Sequence, residues 1–334
     1  VRVLLIKTSS MGDLIHSFPA LTDAQRAIPG IRFNWVVEEG FAEIPSWHPA
    51  VDQVIPVAIR RWRKQPLKTL RSEEWKGFKA RLRAASYDLV IDAQGLLKSA
   101  WLTRYVSAPI AGFDKKSARE PLASYFYDRT YAVARPQHAV ERVRQLFAQA
   151  LGYELPEGLG DYGLDKSRFA GTSLSAPYIV FLHGTTWPSK HWPEAYWRSL
   201  AERLNAQGQS VCLPWGNDLE RERAERIAAD LAAVQVLPRL NLLGVAQTLA
   251  QAQACVAVDT GLGHLAAALD TPCVSLYGPT LPSKVGAYGK HQVHLCASGP
   301  QAGSGNRHAT CMDSLTPEQV EQALLPLLGS KESL

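Results

Sequence analysis

Long apolar runs are missing from this 334-residue chain: no stretch approaches the roughly 20 residues that span a bilayer. Its first residues also lack the apolar region and small-residue cleavage site of a signal peptide, so residence in the cytoplasm is expected. Cysteine is scarce and odd in number. Cys212, Cys255, Cys273, Cys296 and Cys311 all lie in the second half and form no CxxC pair, which argues against disulfide and zinc roles and fits free thiols in a reducing compartment. No Asp-x-Asp pair occurs anywhere, and neither does the GxxxxGK[ST] order of a Walker loop. Disorder is excluded by composition, with 46% hydrophobic and 20% charged residues. The length exceeds that at which one hydrophobic core usually stops growing, so two domains are expected.

What is present is a βαβ rhythm, given twice. In the first half "VRVLLIK", "RFNWVVE" and "YDLVIDAQG" are short Val/Ile-rich runs of the kind that form parallel strands buried on both faces. Helical spacing follows over 13–28 and 138–151. A Gly/Pro/Ser-richer stretch at 152–177 breaks the periodicity and reads as a linker. The rhythm then restarts with "YIVFLHG", "QSVCLPWG", "ACVAVD" and "PCVSLYG", separated by helical spacing at 193–207, 218–232, 241–253 and 261–269. The pattern predicts two doubly wound α/β domains in tandem, 1–160 and 175–334, without a repeat at the level of sequence. Ligands of such sheets bind at the carboxyl ends of the strands, so the turns after strands are the places to search.

Three turns stand out there: "KTSSMGD" at 7–13, "HGTTWPSKHWP" at 183–193 and "DTGLGHLAAAL" at 259–269. In the third, Asp259 ends a strand, Thr260 and Gly261 begin a helix, and His264 falls one turn in. The N–H groups and dipole of that helix end suit a phosphate. Thr185, Thr186 and Lys190 of the second turn add hydroxyl donors and a point charge, and together the two describe a diphosphate site. Gly261-x-Gly263-x-x-Ala266 also fits the dinucleotide fingerprint in form. That fingerprint calls for an acid about 20 residues on, where 278–284 reads "GPTLPSK", so an NAD-dependent dehydrogenase is disfavoured. His264 alone reads equally as a core histidine and Lys190 alone as a solvated lysine; the signal is their occurrence at neighbouring strand ends. A sugar-nucleotide enzyme on this plan would manage its leaving diphosphate without a paired-acid metal clamp.

Charge is uneven. Residues 60–83 hold ten Lys or Arg against Glu73 and Glu74, a net of +8 in a chain whose total is +5. Such a run is either a face for an anionic partner or simply a solvated helix surface. Nothing resembles an RNA-binding signature, so nucleic acid is not an expected partner and a non-catalytic polyanion-binding protein is the lesser reading.

Taken together, "SMGD", "HGTTWPSKHWP", "LPWG" and "DTGLGHLAAALDTP" resemble the lipopolysaccharide heptosyltransferases over nearly the whole chain. "IPSWHPAVDQVIPVAIRRWRK" and "AREPLAS" resemble the heptosyltransferase I branch more closely than heptosyltransferase II. One departure is Gly263, where relatives often carry serine. The resemblance implies a GT-B fold, two Rossmann-like domains facing a cleft, with ADP-L-glycero-D-manno-heptose in the C-terminal domain and the acceptor against the N-terminal one. It further implies inverting transfer to Kdo of Kdo2-lipid A at the cytoplasmic face of the inner membrane, with no cofactor and no metal. The base would be Asp13, with Ser9 and Ser10 bonding sugar or phosphate oxygens. An Asp in a first helical turn is also an ordinary cap, and the two roles can coexist. Thr185, Thr186 and Lys190 would hold the ADP phosphates, with Asp259, Thr260, Gly261 and His264 completing the donor pocket. Glu220 would bind the ribose, although Glu222 stands two residues away. Arg60, Arg61, Arg63, Lys64 and Arg119 would face the acids of the acceptor, and Trp62 would either meet the membrane interface or pack.

Overall fold

The expected apolar runs do form strands, and the computed structural model describes them within residues 1–171, 174 and 177–329. The chain divides into two units at Leu164 and Asp165. The expected domain limits 175 and 334, and residues 172, 173, 175 and 176 of the expected linker, lie outside the described residues.

In the first unit β1 (Arg2–Ile6), β2 (Arg32–Glu38), β3 (Val51–Val57), β4 (Leu89–Asp92), β5 (Ile110–Phe113) and β6 (Arg129–Tyr131) make a sheet of order β3-β2-β1-β4-β5-β6. All its pairings are parallel, with Leu5 opposite Trp35 on one side and Ile91 on the other. Leu4, Leu5, Ile6, Trp35 and Val36 are fully buried, as central strands covered on both faces require. The covering helices are α1 (Met11–Ile15), α2 (Phe18–Ala27), α3 (Ile59–Trp62), α4 (Pro66–Leu70), α5 (Glu73–Arg83), α6 (Leu97–Thr103) and α7 (Ala139–Leu151). The single helix expected over 13–28 is two, because Pro19 has no N–H to return to the carbonyl of Ile15 and its ring crowds that turn. α7 buries Val140, Val143, Leu146 and Phe147, and ends where Gly152 takes φ +77°.

The stretch expected to be a linker is packed against this unit as far as 164. Buried Arg144 donates to the carbonyls of Pro156 (3.0 Å) and Gly158 (2.9 Å), and Tyr162 is buried. Loss of periodicity there marks irregular structure tied to side chains, not a free tether.

The second unit repeats the plan with β7 (Ile179–Leu182), α8 (Glu194–Ala206), β8 (Val211–Leu213), α9 (Asp218–Ala228), β9 (Val234–Val236), α10 (Leu242–Gln251), β10 (Ala254–Val258), α11 (Gly261–Ala268), β11 (Cys273–Tyr277), α12 (Pro282–Val285), β12 (Gln292–Cys296) and α13 (Pro317–Leu328). Its order, β12-β11-β10-β7-β8-β9, is again all parallel, and Phe181, Trp197, Val256, Leu276 and Leu324 share its core. In each sheet the order reverses once, between β1 and β4 and between β7 and β10. A doubly wound sheet opens its ligand crevice at that reversal.

Candidate active site

At the first reversal two strand-end turns are bonded together. Gln94, just past β4, uses Oε1 to accept from the N–H of Thr8 (2.9 Å) and of Ser9 (3.2 Å), both just past β1. Asp92 orders Gln94 in turn: its buried carboxylate accepts from the N–H of Gln94 (2.9 Å) and the hydroxyls of Ser99 (2.9 Å) and Tyr127 (2.8 Å). Burial lifts the Asp92 carboxyl above its usual range against the pull of those donors. Asp13, half-buried in α1, accepts from the N–H of Ser10 through Oδ2 at 2.8 Å, with the Ser10 hydroxyl at 3.3 Å.

Cations gather at this turn. The amine of buried Lys7 donates to the carbonyl of Ala93 at 2.9 Å; burial lowers its pKa while Asp13 and Asp92 pull it back up. Lys98, half-buried in α6, donates to the Ser9 hydroxyl at 3.3 Å. Burial pulls its pKa down, and Glu38 opposes the combined push of Arg60, Arg63 and Arg119. Arg60, Arg63 and Arg119 therefore share the field at Lys98. Lys64 is exposed on the same segment. Arg61 differs from its neighbours: its guanidinium is forked between Glu39 (3.1 Å) and Glu74 (2.5 Å), so it is already partnered by carboxylates of this chain. Trp62 packs, with Trp75 at 5.3 Å between ring centroids.

The second reversal is built the same way. Lys190, in the turn after β7, stands 2.6 Å from Asp259 Oδ2 at the end of β10, and the hydroxyl of Thr185 donates to the Asp259 carbonyl at 3.1 Å. The Thr280 hydroxyl, from the turn after β11, donates to Asp259 Oδ2 at 2.6 Å. Thr186 is exposed in the same turn as Thr185. Thr260 is the N-cap residue of α11, no side chain caps that helix, Gly261 is its first residue, and His264 is buried one turn in. At Gly263 an added Cβ would stand 3.4 Å from Ala257 Cβ, an ordinary contact.

The two acids considered for the ribose differ in their surroundings. The Glu220 carboxylate lies so near Gly184 that a Cβ there would come within 2.7 Å of it, and Glu220 accepts from the N–H of Gly216 at 2.8 Å. Glu222 is exposed two residues further along α9. Behind this turn Arg223 meets His191 Nδ1 at 2.9 Å, and burial brings His183 down to about 4.

Sequence reasoning did not find Gln94, Lys98 or Thr280. Each follows a strand that was identified or lies near one, so the strand-end rule reached their turns; what the sequence could not supply was which turns touch. Among the described residues no group of three or more His, Cys, Asp or Glu is placed to hold a metal ion.

Residues 75–314 match glycosyltransferase family 9 (heptosyltransferase). Lipopolysaccharide heptosyltransferase 1 of Pseudomonas aeruginosa is 62% identical, over 100% of both chains. Among solved structures, E. coli heptosyltransferase WaaC with ADP is similar at TM-score 0.89 and 52% identity, covering 98% of this chain and 100% of that one. WaaC with ADP-2-deoxy-2-fluoro heptose gives 0.87 and 51%, covering 98% and 99%. The two parallel sheets are those of the GT-B type of glycosyltransferase fold.

Proposed function

The chain belongs to glycosyltransferase family 9, the heptosyltransferases, and from that premise we propose that it is a heptosyltransferase I of lipopolysaccharide inner-core synthesis. It moves L-glycero-D-manno-heptose from ADP-heptose to the Kdo of Kdo2-lipid A, with inversion. One observation carries this reading best: the carboxylate of Asp13 stands at a strand-end turn within the field of buried Lys7, and Lys98, which reaches Ser9 of the same turn, shares its own field with Arg60, Arg63 and Arg119. A base that must approach a hydroxyl on an acidic sugar needs that company, because the cations hold the substrate's carboxylate and phosphates.

In this mechanism Ser10 fixes one oxygen of Asp13, and Oδ1 takes the proton of the Kdo hydroxyl. The hydroxyl oxygen attacks the anomeric carbon of the heptose as its bond to the β-phosphate oxygen breaks, and ADP departs. Lys190, Thr185, Thr186 and the first turn of α11 receive the growing charge on the diphosphate. Asp259 and Thr280 position Lys190, and Glu220 holds the ribose. Arg60, Arg63, Lys64 and Arg119 bind acceptor acids, while Arg61 acts through its bridge to Glu39 and Glu74. No metal takes part, since helix-terminal and lysine donors meet the diphosphate directly. Turnover is expected to persist in excess EDTA; a collapse restored by Mg²⁺ or Mn²⁺ would refute this.

The lipid acceptor puts the enzyme at the cytoplasmic face of the inner membrane as a peripheral protein; among the described residues no helix is long and apolar enough to cross. Incubation with ADP-heptose and Kdo2-lipid A, followed by mass spectrometry of the lipid, should show the gain of one heptosyl residue. Transfer only to an already heptosylated core would move the assignment to heptosyltransferase II, and no transfer at all would end it.

A further inference from the structure

Beside the first ligand edge the structure opens a cavity of about 500 Å³, within the size range of small-ligand pockets, formed by α3, α4, α5 and α6. Trp62, Trp75 and Trp101 line it, the last two stacked with ring centroids 5.3 Å apart. Leu70 and Leu97 also line it, yet remain 47% and 39% exposed, and Trp101 is 36% exposed. Large apolar side chains left in water around one concavity mark a surface made for an apolar ligand. The charged members of the wall are both cations, Arg63 and Lys98. Lys98 also reaches the Ser9 hydroxyl at 3.3 Å, so the wall of the cavity continues into the turn that carries Asp13.

We propose that this groove receives an acyl chain of the lipid acceptor while Arg63 and Lys98 pair with acids of its head group. The inference rests on the acceptor being a lipid, as proposed above, and adds where the lipid goes. Charge selects this occupant: the segment 60–83 carries a net of +8 around an apolar hollow, which suits an anionic amphiphile and suits neither a neutral lipid nor a nucleic acid. Each methylene moved out of water favours binding by roughly fourfold, so a few of them in the groove are enough to dominate acceptor affinity.

The test compares Kdo2-lipid A in phospholipid vesicles with the same acceptor stripped of its acyl chains, on the wild type and on Leu70→Asn combined with Leu97→Asn. Both leucines are partly exposed, so the variant should fold. The variant should raise KM for the acylated acceptor by about tenfold or more, and leave kcat and all constants for the stripped acceptor unchanged. An unchanged KM, or an equal rise for both acceptors, would overturn the groove. A second readout is tryptophan fluorescence, with bromine placed either on the acceptor's acyl chains or on the vesicle phospholipid. Brominated acceptor should quench the wild type and lose that effect in the variant. Equal quenching by brominated phospholipid, or a concentration-dependent dimer that the same variant abolishes, would assign the groove to bilayer lipid or to a second copy and overturn the proposal. Absence of transfer to either acceptor would refute the proposed reaction, and the quenching would still decide the groove.

Discussion

Asp13 has two possible duties, and one substitution separates them. Asn keeps the size and an acceptor oxygen for the N–H of Ser10, 2.8 Å away, but takes no proton. Asp13→Asn should therefore melt as wild type does and bind ADP-heptose normally, yet lose on the order of 10²- to 10⁴-fold in kcat. A purely capping Asp13 would give near-normal kcat in Asp13→Asn and a melting loss of about 1 kcal/mol in Asp13→Ala. Lys190 is the proposed donor-side counterpart. Lys190→Ala should weaken ADP-heptose binding and slow the chemical step together, because charge on the leaving diphosphate is largest in the transition state; an unchanged kcat/KM would make this lysine ordinary. These residues were legible because each sits in a turn after a readable strand. Gln94 and Lys98 were not, because their partners Thr8 and Ser9 lie more than 80 positions away and no local pattern records that meeting.

Among elements, the readable ones were apolar runs buried on both faces, and those missed were interrupted by polar residues, glycine or proline, or lay at an edge. β5, β6 and β9 read Ile-Ala-Gly-Phe, Arg-Thr-Tyr and Val-Gln-Val, without the unbroken apolar run that marks β4 and β7. β3 carries Pro56 and pairs only with β2, an edge position where a missing N–H is tolerated. The packing of α7 against α2 depends on an ion pair that the helical spacing of 138–151 does not disclose. Arg144 Nε donates to Asp23 at 2.6 Å with both side chains almost wholly buried. Removing one partner leaves the other charge stranded, so Arg144→Leu should cost about 3–5 kcal/mol and lower the urea midpoint of the first unit. A wild-type midpoint would show that Asp23 finds compensation elsewhere.

For the molecule as a whole, acid is the expected weakness. Burial brings both His48 and His183, one in each unit, from 6.5 to about 4. His48 stays neutral with Nδ1 accepting from the N–H of Ala50 at 3.1 Å and its other nitrogen 3.0 Å from the Thr22 hydroxyl. Between pH 6.5 and 4 the unfolded chain takes up protons that the folded one refuses. Stability should therefore fall as pH drops through that window, by up to about 3 kcal/mol for each histidine, and be indifferent to both above it. The melting temperature measured from pH 7 to pH 4 should show the decline, less steeply in His48→Asn, and a flat profile to pH 4.5 would refute it. The twin reversals have a different consequence. Gln94 braces one ligand edge and Lys190 with Asp259 braces the other, and none of those bonds crosses Leu164. Each edge therefore carries its own scaffolding as a heritable unit. A chimaera that swaps halves with a relative at this junction should inherit nucleotide-sugar preference from one parent and acceptor preference from the other.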